Sequence, residues 1–146
     1  MHRLVGVLMA AALLGCVPPR RAPEFHPAPD PALRALPFSE AVAVGDVLYL
    51  SGQIGVVPGT LTLVPGGMPA EARQALENIK GVLARHGSSL DRVVKCTIFL
   101  ADMKDWPEFN AVYREFFTAP YPARSALGAN GLALGARVEV ECVATR

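Results

Sequence analysis

Cysteine and histidine are scarce in this chain. Three cysteines in 146 residues are too few for a disulfide scaffold, and no Cys-x-x-Cys occurs, which removes thiol redox motifs. The three histidines, His2, His26 and His86, lie far apart in sequence. None has a second histidine at ligand spacing, so no metal site is expected. An excess of one charge is also missing. Fourteen Lys and Arg stand against 13 Asp and Glu, for a net charge of +1. No global basic field is available to hold a phosphate backbone, and no nucleic-acid partner is expected. There is no glycine-rich loop ending in Lys-Ser or Lys-Thr, and no serine sits in a nucleophile elbow. Nucleotide hydrolysis and serine hydrolysis lose their support. What is present, 51% hydrophobic against 18% charged residues, suits one globular domain.

The first residues read as an address. Met1-His2-Arg3 is short and positive, and Leu4 to Leu14 is an unbroken run of apolar and small residues. Eleven residues are too few to span a bilayer, which takes about 20; behind a positive tip they form the pattern of a signal peptide. Leu13-Leu14-Gly15-Cys16 resembles the lipobox of bacterial lipoproteins, with Gly15 at the cleavage position and Leu13 three residues before the cysteine. Leu14 departs from the commoner small residue. The resemblance implies a signal peptide over 1–15 and acylation of Cys16. The product would be a membrane-anchored protein facing the periplasm, held by acyl chains at about 0.8 kcal/mol per buried CH₂. An ordinary export signal or a misassigned start are the alternatives, leaving a soluble periplasmic or cytoplasmic protein. Seven of the 13 prolines then fall between Val17 and Pro37. Proline fixes φ and lacks an N–H, so 16–37 reads as a lipidated cysteine and an extended spacer, and the folded unit as 38–146.

Periodicity predicts the elements of that unit. Ala41 to Val44 and Val47 to Ser51 are β-prone runs joined by Gly45-Asp46, which suits a type II′ hairpin turn. A short strand near Leu61 to Val64 is possible within the Gly- and Pro-rich stretch that follows. Apolar residues at Ala72, Ala75, Leu76, Ile79 and Leu83 mark one helix face between Pro69 and His86, with Gly87 at its C-cap. Val93 to Ala101 is a long β-rich run read as buried on both faces. Lys95 within it reads as snorkelling or paired. Asp105-Trp106-Pro107-Glu108 predicts a helix start with Asp as N-cap and Glu completing a capping box. Trp106, Phe109, Tyr113 and Phe116 read as that helix's core face rather than a stacking platform. Ser125 to Leu127 and Arg137 to Thr145 are closing strands. The order predicts an α+β fold, two helices packed on one face of a mixed sheet. Two helices do not cover both faces, so self-association through the sheet is expected. Cys96 and Cys142 read as buried apolar fillers, able to pair only if their strands are adjacent and the compartment oxidising.

For chemistry, Arg124 opens a strand after the Pro122 turn, and its planar fork matches a carboxylate. Glu139, fifteen residues on, offers a group that accepts a proton or orients water. A cation that grips a carboxylate and an acid/base that manages water are the minimum kit for hydrolysing an amino-acid-derived imine. Spacing alone leaves open a structural ion pair, or two solvated side chains.

Several segments together carry a resemblance: Phe38-Ser39-Glu40-Ala41, Ser51-Gly52-Gln53-Ile54-Gly55, Val93 to Leu100, Asn110-Ala111-Val112-Tyr113, Pro122-Ala123-Arg124-Ser125 and Val138-Glu139-Val140-Glu141. In order, and over Pro37 to Arg146, they resemble the RidA (YjgF) family of reactive-intermediate deaminases. The resemblance implies a chorismate-mutase-like fold and a homotrimer with clefts between subunits. It also implies cofactor-independent hydrolysis of enamines and imines such as 2-aminoacrylate to 2-oxo acids and ammonia. Arg124 matches the arginine that binds the substrate carboxylate, and Glu139 the glutamate that orients or activates water. Ser51, Gly52, Asn110, Phe99 and Phe38 match cleft-lining positions. Phe38 stands where archetypal members have Tyr, and Ala126 where many have Cys. The alternatives are a small-carboxylate-binding trimer without turnover and, less favoured by the charge balance, a ribonuclease or translation inhibitor.

Overall fold

The computed structural model describes residues 21–146. The signal peptide expected over 1–15, acylation at Cys16 and the start of the spacer lie outside the described residues. Among the described residues, no helix is long and apolar enough to cross a membrane.

The elements run β1 (Glu24–His26), α1 (Pro31–Arg34), β2 (Ala41–Val44), β3 (Val47–Leu50), β4 (Gln53–Ile54), α2 (Gly67–Arg85), β5 (Val93–Leu100), α3 (Trp106–Phe116), β6 (Ala123–Gly128) and β7 (Val138–Thr145). They form one sheet in the order β1-β2-β3-β7-β5-β6, with β4 also paired to β7. Only β5 and β6 run parallel; α3 is the crossover such a pair requires. The other pairings are antiparallel, so the sheet is mixed, as expected. Gly45 has φ +60° while Asp46 does not enter the positive region, as a Gly-first hairpin turn demands. Gly87, at φ +74°, follows α2 as a C-cap glycine should.

The core lies between the sheet and the two long helices. Strand alternation sends Leu48, Leu50, Cys96, Ile98, Leu100, Val138, Val140 and Cys142 inward, against Ala72, Leu76, Ile79 and Leu83 of α2 and Phe109, Val112 and Tyr113 of α3. The opposite face keeps Val44, Tyr49, Val94 and Leu127 exposed. In the single chain, β5 is therefore buried on one face only, not on both. Lys95 is exposed beside the irregular register between Val93 and Lys95; it does not snorkel out of a buried run.

Four further expectations change. Glu24–His26 pairs with β2, and Ala28 is buried, so part of the stretch read as a spacer is built into the fold. Proline excludes a segment from a sheet interior but not from an edge. Pro23 and Pro27 simply bracket the three residues that pair. Asp105 stands at the N-cap of α3 without a side-chain capping bond. Its carboxylate instead receives the Arg137 fork at 2.8 and 3.1 Å, a charge-assisted pair that outweighs a single cap bond. Cys96 and Cys142 face each other in register on β5 and β7 and form a disulfide, so they are not simple fillers. The expected strand near Leu61 to Val64 reduces to a single bridge between Val56 and Leu63.

Candidate active site

The chain beyond β3 bends at Ser51-Gly52 and returns as the two-residue β4 beside β7, with Ile54 opposite Glu139. Gly52 leaves room for Glu139: a Cβ there would overlap the Glu139 carboxyl and displace it. Ser51 is spent on structure, its hydroxyl donating to the Ser39 carbonyl at 2.6 Å and its N–H to the Glu40 carbonyl at 3.0 Å. It shapes the bend but presents no free hydroxyl proton. Gly55 meets α2 so closely that a Cβ would strike the Glu71 backbone. Asn78 of α2 donates to the Ile54 and Val56 carbonyls at 3.1 and 3.0 Å, which fixes the loop after β4.

Beside this bend lies a cavity of about 520 Å³, bounded by α1, the loop from Val56 to Leu61, one flank of α2, and Leu134. Phe38, Gly52 and Glu139 all line it. Burial pushes the Glu139 carboxyl above its ordinary range, and the nearby Glu141 charge adds to this. A carboxyl shifted in that direction is a better general acid/base than an ordinary glutamate. Phe99, opposite Glu139 in register, is half-buried on the same sheet face.

Arg124 sits elsewhere in the chain. It pairs in register with Cys96, so it belongs to the helix side of the sheet. Its guanidinium lies 4.6 Å from the Trp106 ring centroid and 4.7 Å from that of Tyr113. These two aromatics are a bed for a cation as well as a helix face, contrary to the plain core reading. Asn110 falls four residues after Trp106 and three before Tyr113, on the same stripe of α3. The Tyr113 hydroxyl is buried without a hydrogen-bond partner among the described residues; burial raises its pKa, and the Arg124 charge partly opposes this. Within one chain the predicted site residues therefore form two groups. Phe38, Gly52 and Glu139 share the cavity, with Phe99 close by, whereas Arg124 and Asn110 lie over α3 beside the exposed edge strand β6.

One cluster has no counterpart in the sequence reading. Glu40, nearly inaccessible, receives Arg85 at 2.7 and 3.1 Å and lies 2.9 Å from His86 Nε2. The His26 and His86 rings, sixty residues apart, are 4.4 Å apart. Burial pushes the Glu40 carboxyl up, but hydrogen bonds from Arg85 and His86 prevail and hold it below its ordinary value. The visible signal was the Arg85-His86 pair at the end of an amphipathic helix, with Glu40 the residue just before β2. Among the described residues, no three or more His, Cys, Asp or Glu side chains gather as a metal site.

The family model described as Endoribonuclease L-PSP matches residues 29–146. The 2-iminobutanoate/2-iminopropanoate deaminase of Bos taurus is 44% identical over 110 residues, 75% of this chain and 80% of that protein. The Rid-family protein YyfA of Yersinia pestis superposes with a TM-score of 0.79 at 33% identity, covering 86% of this chain and 100% of that one. The structure of TdcF from E. coli with bound serine has a TM-score of 0.71 at 34% identity, covering 76% and 89%.

Proposed function

The chain belongs to the Endoribonuclease L-PSP family, the RidA (YjgF) family that its motifs resemble, and from that premise we propose that it is a hydrolytic deaminase of 2-imino acids and their enamine tautomers. The observation that carries this reading is Glu139: a half-buried carboxyl of raised pKa, pressed against Gly52 at the wall of the cavity. Glu139 takes a proton from water as the oxygen adds to the C=N carbon. The nitrogen, reprotonated, leaves as ammonia when the C–N bond breaks, and the 2-oxo acid remains. No electron acceptor is needed, and the protein's own groups supply the acid/base work. Arg124 holds the substrate carboxylate through a bidentate pairing.

Because Arg124 and Glu139 occupy separate groups in one chain, the complete site draws on two subunits. In a homotrimer the edge of β6 and the Arg124 group of one copy would meet the cavity of the next. The exposed apolar outer face, with Val44, Tyr49, Val94 and Leu127, and the open edge of β6 support this assembly. The N-terminal pattern supports export and anchoring through Cys16, and the Cys96–Cys142 disulfide is at home in an oxidising compartment. A small-carboxylate binder without turnover is the second reading, favoured by the distance in the fold between the Arg124 group and the Glu139 cavity.

The test is direct. Imines generated in situ by an amino-acid oxidase are offered to the purified protein and 2-oxo acid release is followed. Release faster than in buffer supports the enzyme. Release at the buffer rate, with carboxylates still bound, supports the binder. Sedimentation of the same sample reports the trimer.

A further inference from the structure

In the single chain, the cavity beside Glu139 is far larger than a three-carbon imine requires. A cavity of about 150 Å³ holds a molecule with six non-hydrogen atoms such as benzene, and 2-iminopropanoate also has six. The cavity here is about 520 Å³, within the range of about 300–1,000 Å³ that receives drug-sized ligands. Its walls are mainly apolar, including Leu33, Leu36, Ile54, Val57 and Leu61. Its polar groups are largely engaged with the protein: Arg85 with Glu40, Asn78 with two backbone carbonyls and Glu77 with Lys80. Among the described residues no side chain donates to Glu139.

The outer wall is the N-terminal segment Ala28–Leu36, which the sheet holds through β1. Asp30 caps α1 by accepting from the Ala32 N–H at 2.7 Å, and Arg34 donates back to the Ala28 and Pro29 carbonyls at 3.1 and 3.2 Å. At the mouth, Leu134 holds φ +58°. That backbone region is costly for a branched apolar residue, and such costs gather at ligand sites.

We infer that this cavity is a side-chain pocket selecting 2-imino acids with a large apolar side chain, and that the segment Ala28–Leu36 is a specificity wall. This rests on the deaminase reading and names its substrate class. The imine carbon lies at Glu139, the side chain enters under α1, and the carboxylate remains at the mouth. An apolar pocket gains about 10–200-fold per added methylene that it contains, so the discrimination is measurable.

The experiment compares kcat/KM for the imines of leucine and of alanine, made in situ by an amino-acid oxidase, with the full mature chain. The wild type is expected to favour the leucine-derived imine at least tenfold. Gly81→Leu is expected to lower that preference at least tenfold. Gly81 faces the cavity, a Cβ there meets only the Arg85 guanidinium at 3.4 Å, and leucine is a better helix former. Leu33→Ala, on the outer wall, should reduce the preference without filling the cavity. A wild type that favours the alanine-derived imine, or a preference unmoved by both variants, overturns the pocket and leaves the deaminase intact. Failure to accelerate either imine overturns the deaminase reading, and the pocket with it.

Discussion

Gly52 and Glu139 approach so closely that a single methyl group on the glycine would occupy the space of the carboxyl. The bend after β3 thus determines where the Glu139 carboxyl stands at the cavity wall. Gly52 is not among the positive-φ glycines of the chain, so its role is one of space and not of backbone freedom. Gly52→Ala should displace the Glu139 carboxyl while leaving the core intact. A misplacement of about 1 Å lowers turnover on the order of 100-fold. Steady-state imine hydrolysis alongside thermal unfolding checks this: kcat should drop sharply with little change in Tm.

Glu139→Gln should reduce kcat by roughly 10²–10⁴, the usual contribution of a positioned acid/base. In the wild type, raising the Glu139 pKa moves the acid limb of the kcat/KM profile above the ordinary glutamate value of about 4.3. The stability effect has the opposite sense. A carboxyl whose folded pKa is raised stabilises the fold at low pH and loses that contribution as pH rises through the folded value. At neutral pH, Glu139→Gln should therefore raise Tm while lowering kcat, a combination that a merely structural glutamate would not show.

Arg124→Ala should weaken carboxylate binding by about 10–100-fold, the scale of a charge-assisted hydrogen bond. Arg124→Lys should recover only part of this. It keeps the charge but loses the fork and the planar stacking on Trp106 and Tyr113. Calorimetric titration with a 2-oxo acid product separates the three proteins.

Glu40→Gln should destabilise the protein by about 1–3 kcal/mol at pH 7. This is less than the 3–5 of a fully buried broken pair, because the Arg85 side chain is 44% exposed. The Glu40 pKa is lowered in the fold, so its contribution is present above the ordinary carboxylate range and is lost as pH falls through the folded value. Urea unfolding at pH 7 and at progressively lower pH should show the difference between wild type and variant narrowing on the acid side.

Reduction of the Cys96–Cys142 disulfide, whose partners are separated by 46 residues, should cost about 2–4 kcal/mol by release of chain entropy in the unfolded state. Thermal unfolding with and without dithiothreitol measures this. Non-reducing peptide mapping should recover the linked peptides.

The elements were legible in the sequence because each obeys a local rule. Gly45-Asp46 matches a hairpin turn, the apolar stripe of α2 ends at Gly87, and Val138 to Thr145 alternates in and out as a central strand should. The motifs around Gly52, Arg124 and Glu139 were equally readable, and they carried the family and its chemistry. The reading failed where the deciding partner lay far along the chain. Asp105 followed a capping rule until Arg137 offered a stronger partner. Pro23 and Pro27 suggested a spacer until an open strand edge became available at Ala41–Ala43. His26 and His86 were remote until β1 and the end of α2 met.

The sequence by itself determined which residues could form helices and strands and which side chains were chemically able to manage an imine, because propensity, periodicity and side-chain chemistry are local properties. Only the tertiary structure decided which side chains meet. It joined Cys96 to Cys142, pressed Gly52 against Glu139, roofed the cavity with the proline-rich segment and set Arg124 over α3 on the other side of the sheet. Those outcomes depend on register and strand order, where a shift of one residue turns a side chain to the opposite face.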